Sequence, residues 1–276
     1  ATSAEFQNKK LVRTDLQVRD LRARGRVLWE DSVPSKNNED WLGPLVFSSD
    51  GATVMTHTTR SDVVESTVYG ESTKEMSARI MSWDSRTGKP SLKTPYFGRQ
   101  SFFRAALAPP LNSLVTWRGN LVKAEGGQTV TSSTLQVWDA QTGTLQRTLE
   151  APDADITAVA VSDDGRRIVA AGSALQRTFL RGTIVLIWDA ESGRLLRTLR
   201  DRKGTILNTV AVSSLGTRVA VGGQDKTIAL WDATTGRQQA ELVGHGSQVM
   251  KAAFSPDGSR LATGDLRGIV KVWRVP

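Results

Sequence analysis

Leu135-Gln136-Val137-Trp138-Asp139-Ala140-Gln141-Thr142-Gly143 decides the fold, because the chain writes it again and again. It returns as Val185-Leu186-Ile187-Trp188-Asp189-Ala190-Glu191-Ser192-Gly193 and as Ile228-Ala229-Leu230-Trp231-Asp232-Ala233-Thr234-Thr235-Gly236. An earlier copy runs from Arg79 to Gly88 around Trp83-Asp84, and a last one reads Val270-Lys271-Val272-Trp273-Arg274. The marker tryptophans Trp83, Trp138, Trp188, Trp231 and Trp273 stand 55, 50, 43 and 42 residues apart. The shortest spacings equal one supersecondary unit of roughly 40–45 residues, and such a repeat dictates the architecture.

A second motif keeps phase with the first. Ser-x-x-Gly turns stand at Ser48–Gly51, Ser162–Gly165, Ser213–Gly216 and Ser255–Gly258, while the repeat ending at Trp138 has Ala108-Pro109-Pro110-Leu111-Asn112 there. An apolar run such as Ile156–Val161 precedes each turn, and another such as Arg167–Ala171 follows it. A third run ends at the tryptophan. A fourth, such as Leu195–Leu199, comes after the Asp-Ala-x-x-Gly segment. Short β-branched runs bounded by Gly, Asp, Ser and Pro are strands joined by tight turns, so each repeat predicts four strands, a to d.

The N-terminus holds a partial copy. Leu16–Asp20 nearly duplicates Leu135–Asp139, and Gly25-Arg26-Val27-Leu28-Trp29 parallels Gly193-Arg194-Leu195-Leu196-Arg197. Residues 1–24 are therefore expected to be a partial repeat or an N-terminal arm, and residues 25–276 five repeats of a single domain. Strand c falls at about 14–19, with Arg19 in place of the tryptophan, and strand d at about 26–30. The last repeat supplies no strand d. Two closures stay open: strand 26–30 lies beside 269–273, or both end blades are incomplete. The opening Ala1-Thr2-Ser3, without Met, is read as the start of a segment of a longer chain.

The two in-phase motifs resemble the WD-repeat family of β-propellers, over about residues 25–273. The resemblance implies an all-β propeller of four-stranded antiparallel blades, five full repeats plus a partial one. It implies a recognition or scaffolding module, without catalysis or cofactor. The Asp-Ala-x-Thr-Gly turns look like those of propellers in bacterial multidomain signalling proteins, so other domains of the same parent protein join the expected partners. In the family a Gly-His dipeptide between strands d and a joins an Asp, a Ser or Thr and the tryptophan in a structural hydrogen-bond network. Here His245, Thr263 and Trp273 take three places, and the Asp position, six before the tryptophan, is Arg267. The neighbouring repeat has Asp225 there, but Val221 where the Ser or Thr belongs. On this reading no repeat completes the network.

Composition narrows the function. With 276 residues, 39% of them hydrophobic, the chain can bury a sizeable core. It has no cysteine, which excludes disulfides and thiolate metal sites. No run reaches the 18 or so apolar residues of a membrane-spanning helix. The net charge of +8 fits arginine-rich solvated turns, or an acidic partner. His57 with Ser61 and Asp62 lacks the context of a hydrolase triad. Gly222–Thr227 lacks the spacing and the following helix of a phosphate loop. No catalytic, cofactor or metal residue is assigned.

The expected site is positional. The a–b and c–d turns stay short and share one edge of the sheets. The insertions are b–c connections at about 58–77, 118–133 and 173–182, and a d–a connection at about 31–40, all at the opposite edge. Loops on a rigid scaffold carry function more often than the scaffold does. Asp62, Glu65 and Glu71 give that edge an acidic part, and Arg99, Arg118, Lys123, Arg177, Arg181, Arg202 and Lys203 a basic one. Mixed charge suits a protein or peptide. The alternative is a polyanion or nucleic acid, which favours a continuous basic stripe and exposed aromatics; Phe102 and Phe103 read as core.

Overall fold

The computed structural model describes the chain apart from residues 1, 8–9, 21–25, 35–39, 43–45, 49–50, 66–71, 91–95, 101–103, 109–111, 124–128, 141, 153, 175–181 and 202–203. Phe102 and Phe103 thus lie outside the described residues. Six sheets follow one another, with no helix among the described residues. The first joins β1 (Thr2–Gln7), β2 (Lys10–Asp20) and β3 (Arg26–Pro34). The second holds β4 (Asp40–Leu42), β5 (Val46–Phe47), β6 (Thr53–Glu65), β7 (Ser72–Asp84) and β8 (Tyr96–Gln100), with β4 and β5 both paired to β6. The third has β9 (Arg104–Ala108), β10 (Ser113–Lys123), β11 (Thr129–Asp139) and β12 (Leu145–Ala151). The fourth is β13 (Ala154–Val161), β14 (Arg167–Ala174), β15 (Gly182–Asp189) and β16 (Leu195–Asp201). The fifth is β17 (Leu207–Val212), β18 (Arg218–Gly223), β19 (Thr227–Asp232) and β20 (Gln238–Val243), and the last β21 (Val249–Phe254), β22 (Arg260–Asp265) and β23 (Val270–Arg274).

The repeated residues make the turns. In each Ser-x-x-Gly turn the glycine N–H donates to the serine carbonyl at 2.8–2.9 Å. The serine hydroxyl accepts the backbone N–H five residues on, from Thr53, Arg167, Arg218 and Arg260, at 2.9–3.0 Å. The glycines lie at φ of 68–70°, where a side chain is strained. The c–d turns are closed by their aspartate: Gly88, Gly143, Gly193 and Gly236 each donate to the carbonyl of the Asp four residues before, at 2.9 Å. The next residue ties the two turns of a sheet together, as Ala190 N–H donates to Arg166 O at 2.9 Å and Ala233 N–H to Thr217 O at 2.8 Å.

Register separates the edges. The b–c pairs of the second, fourth, fifth and last sheets run without a slip, for example Arg167↔Asp189 to Ala174↔Gly182, whereas β1 and β2 of the first sheet slip between Glu5 and Phe6. In the fourth and fifth sheets the c–d pairs slip at the marker tryptophan, between Ile187 and Trp188 and between Leu230 and Trp231, while β7 and β8 slip between Ser77 and Arg79. In the first sheet the slip falls between Val18 and Arg19, so Arg19 holds the backbone position of the missing tryptophan. The a–b slips leave out Thr157 and Asn208, whose side chains donate to the next sheet, to Leu207 O at 2.6 Å and Val249 O at 3.2 Å. Strand 26–30, which one closure puts beside 269–273, pairs with β2 through Gln17↔Glu30 and Val18↔Trp29. β23 is the outer strand of a three-stranded sheet.

The chain forms two compact units, residues 1–116 with 138–146, and 117–137 with 147–276. In the first, Trp29 stacks on Trp83 with ring centroids 6.3 Å apart and donates to Ser85 O at 3.0 Å. A Cβ on Gly88 would lie 2.7 Å from the Trp29 indole. In the second, Val169, Val185, Ile187, Leu199, Val210, Val219 and Trp231 fill the space between the fourth and fifth sheets. Arg197 Nε and Nη2 donate to Thr234 O there, at 3.1 and 3.0 Å. Trp29 and Arg197, parallel in sequence, do the same job: each donates from strand d to the c–d turn of the following repeat.

Candidate interaction surface

The insertions read as loops are largely strand. β6 and β7 are 13 residues each and pair from Thr53↔Asp84 to Glu65↔Ser72. β10 and β11 are 11 residues each, and β14 and β15 are 8 each. The corresponding strands of the fifth sheet are 6 each. The expected loops at 58–77 and 118–133 are thus corrected to lengthened hairpins. Part of the expected 31–40 connection is likewise strand, since β3 continues to Pro34. The reason is pairing: each added residue on one arm meets one on the other.

The candidate residues spread over these hairpins. Asp62 lies in β6 opposite Glu75, and Glu65 ends the same strand opposite Ser72. Beyond Arg60, the last β6 residue paired to β4, and Met76, which pairs with Gln100 of β8, the two arms pair with each other. Arg99 lies in β8 opposite Ser77. Arg118 and Lys123 lie in the outer half of β10. Glu71, Arg177, Arg181, Arg202 and Lys203 lie outside the described residues. His57, Ser61 and Asp62 share β6, where positions 61 and 62 fall on opposite faces. Gly222–Thr227 forms a tight b–c turn in which Lys226 N–H donates to Gly223 O at 3.3 Å.

The opposite edge is electrostatically organised. Asp84, Asp189 and Asp232 are held below the ordinary carboxylate range. The leading causes are hydrogen bonds from Thr87, Ser192 and Thr235 respectively. Asp257 is lowered to about 2 by the hydroxyls of Ser255 and Ser259 and the Ser259 N–H. Arg167 Nη1 adds an ion pair with Asp189 at 3.0 Å, the two being register partners. In the last sheet the same register puts Arg274 opposite Arg260.

Trp83, Trp138, Trp188 and Trp231 are buried and Trp273 is half-buried. In the last repeat the hydrogen-bond network is complete, which corrects the sequence reading. Trp273 Nε1 donates to Thr263 Oγ1 at 2.8 Å, and Thr263 Oγ1 lies 2.7 Å from His245 Nε2. His245 Nδ1 lies 3.3 Å from Asp265 Oδ2, both side chains being buried. The aspartate is thus Asp265, two residues before the position that Arg267 occupies. Asp265 ends β22 two residues after Thr263, so both lie on the same face of the strand. With the imidazole neutral, the Thr263 hydroxyl donates to Nε2 and Nδ1–H donates to the carboxylate. Burial works to raise the Asp265 pKa, but the Ile269 N–H, His245 and the Arg267 N–H together hold it below the ordinary value. Asp225 is exposed in the fifth sheet's b–c turn, where its carboxylate accepts from Thr227 N–H at 3.2 Å and Thr227 Oγ1 at 3.0 Å.

The family model described as "WD domain, G-beta repeat" matches the chain three times, at residues 143–189, 193–232 and 236–274. Over residues 143–274 this is a WD-repeat chain. The sheets described above are its blades. The WD-repeat chain is similar to apoptotic protease-activating factor 1 of Rattus norvegicus, 41% identical over 73 residues, which is 26% of this chain and 6% of that protein. It is similar to nuclear distribution protein PAC1-2 of Uncinocarpus reesii, 31% identical over 141 residues, 46% of this chain and 30% of that one. WD repeat-containing protein SL1-17 of Schistosoma mansoni is 29% identical over 151 residues, 52% of this chain and 44% of its own length. The chain therefore spans less than half the length of these relatives. All three are eukaryotic, so they lend no support to the bacterial parent expected from the turn composition. WD repeats of this kind support a protein-interaction or scaffold role. Among the described residues no helix is long and apolar enough to cross a membrane, and no group of three or more His, Cys, Asp or Glu could hold a metal ion.

Proposed function

We propose that this WD-repeat chain is a non-catalytic docking module that takes a protein or peptide at the b–c edge of its blades. The observation that carries the reading is the graded lengthening of the b–c hairpins, from 6 residues per arm in the fifth sheet to 13 in the second. A blade packs with the short version, so the extra length serves something other than the core. Asp62 opposite Glu75 supports this, because like charges directly opposite each other weaken a strand pair. Residues kept at a cost to local stability suit recognition of a cationic surface. The basic positions Arg99, Arg118, Lys123, Arg177, Arg181, Arg202 and Lys203 add encounter rate with an acidic one.

The test is quantitative affinity capture from the source cells with the intact protein and a trimmed variant, in which residues 62–75 are replaced by Asn-Gly. Retained folding with loss of specific partners supports the reading. A partner set that survives trimming of this hairpin and of the β10–β11 hairpin sinks it. Binding of a nucleic acid whose affinity falls steeply with salt would favour the polyanion alternative.

A further inference from the structure

At the edge that carries the a–b and c–d turns, a cleft of about 430 Å³ opens between the fourth and fifth sheets. Arg167, Arg194 and Arg197 line it together with Leu195, Leu215 and Thr234. Arg167 is engaged with Asp189, and Arg197 with the Thr234 carbonyl. Arg194 is exposed, and its guanidinium has no partner among the described residues. The lining thus holds three guanidinium groups and no carboxylate; Asp189 pairs with Arg167, and Asp163 accepts from the Ser214 hydroxyl at 2.7 Å.

A break in the repeat pattern falls at the lip of this cleft. The third position of the Ser-x-x-Gly turn is Asp in the other three, at Asp50, Asp164 and Asp257. Asp164 accepts from the Ser162 hydroxyl and from Arg166 N–H at 2.9 Å, and Asp257 from the Ser255 hydroxyl and from Ser259 N–H at 3.0 Å. The fifth sheet has Leu215 there, 73% exposed, and its Ser213 hydroxyl meets Thr217 Oγ1, at 3.4 Å, in place of the carboxylate. The turn that borders the arginine cleft has lost a stabilising carboxylate and presents a leucine to water. Both changes move the cleft one way: less negative charge, more apolar surface.

We propose that this cleft is a second docking site, separate from the b–c edge, for an extended peptide segment that sets a carboxylate beside a large apolar side chain. The planar guanidinium matches a carboxylate with two parallel hydrogen bonds. Leu215 and Leu195 receive the apolar group, and the volume lies within the range of ligand clefts, roughly 300–1,000 Å³. The inference does not rest on the b–c edge reading.

Fluorescence anisotropy with the intact protein and a short labelled peptide, Leu-Asp-Phe-Glu in a Gly-Ser context, tests it. Saturable binding is expected, weakened about tenfold or more by Arg194→Ala and by Leu215→Asp. Leu215→Asp restores the residue of the sister turns, so its unfolding midpoint should match or exceed that of the parent, and lost binding cannot be blamed on misfolding. The hairpin-trimmed variant should bind the peptide normally. The proposal is overturned if both substitutions leave affinity unchanged, or if no saturation is reached at millimolar peptide. Equal binding of the Leu-Asn-Phe-Gln peptide, or of Ser-Asp-Ser-Glu, also overturns it, the latter marking a general anion surface. So does loss of binding on hairpin trimming.

Discussion

Among the described residues, the buried indoles of Trp117 and Trp231 lack a hydrogen-bond partner. The second has a readable cause. Val219 pairs with Trp231 as Leu261 pairs with Trp273. Two residues on, the last sheet offers Thr263, while the fifth offers Val221. Val221→Thr should satisfy the indole and raise the unfolding free energy by about 1 kcal/mol in urea denaturation. By the same logic Trp231→Phe should cost less than Trp138→Phe, which also gives up a 2.9 Å bond to Thr116. Equal losses would show that the bond contributes nothing. At this scale sequence was legible where a motif fixes both type and place, as for Thr263, His245 and Trp273. It failed at Asp265, because the carboxylate that reaches the imidazole comes from the end of β22, on the same face as Thr263, and not from the following turn.

The turns predict how elements respond to acid. Asp84, Asp189, Asp232 and Asp257 have folded-state pKa values below the ordinary 3.8, so they bind fewer protons in the folded state. Their stabilisation is present above about pH 4 and is lost as pH falls through the folded values. For Asp257 that window runs from the ordinary value down to about 2. A denaturant midpoint measured from pH 5 to pH 2 should fall, and Asp257→Asn should shrink the decline. A variant with the parent's pH profile would remove Asp257 from this account. Replacing residues 62–75 by Asn-Gly joins Ser61 to Met76, which are register partners. The two-residue turn suits a hairpin, so this variant should keep its unfolding free energy within about 0.5 kcal/mol of the parent; a larger loss would tie the hairpin to the core. These hairpins escaped sequence reading because Arg60-Ser61-Asp62-Val63-Val64-Glu65 has neither a clean apolar alternation nor a turn signal before its tip. A strand not bound to bury one face carries no periodicity, whereas Ser-x-x-Gly and Trp-Asp-x-x-x-Gly announce the turns through their own hydrogen bonds.

For the molecule as a whole, the charge of +8 is unevenly answered. The b-strand arginines Arg167 and Arg218 stand opposite Asp189 and Asp232, but Arg260 stands opposite Arg274. Arg274→Asp should restore the pattern and stabilise the last sheet by a few tenths of a kcal/mol at low salt, with the gain fading as ionic strength rises. A gain that ignores salt would point to something other than charge. The graded hairpins carry a further consequence, one of parity. Because the β6–β7 ladder runs without a slip, an insertion there conserves register only when both arms grow together. A single unmatched residue would turn every position beyond it to the other face. Length in this hairpin should therefore change in even steps, centred on its tip. When related chains are aligned, their gaps belong at that tip, divided equally, and a guest sequence grafted between Ser61 and Met76 should be tolerated in pairs and rejected when it is odd by one.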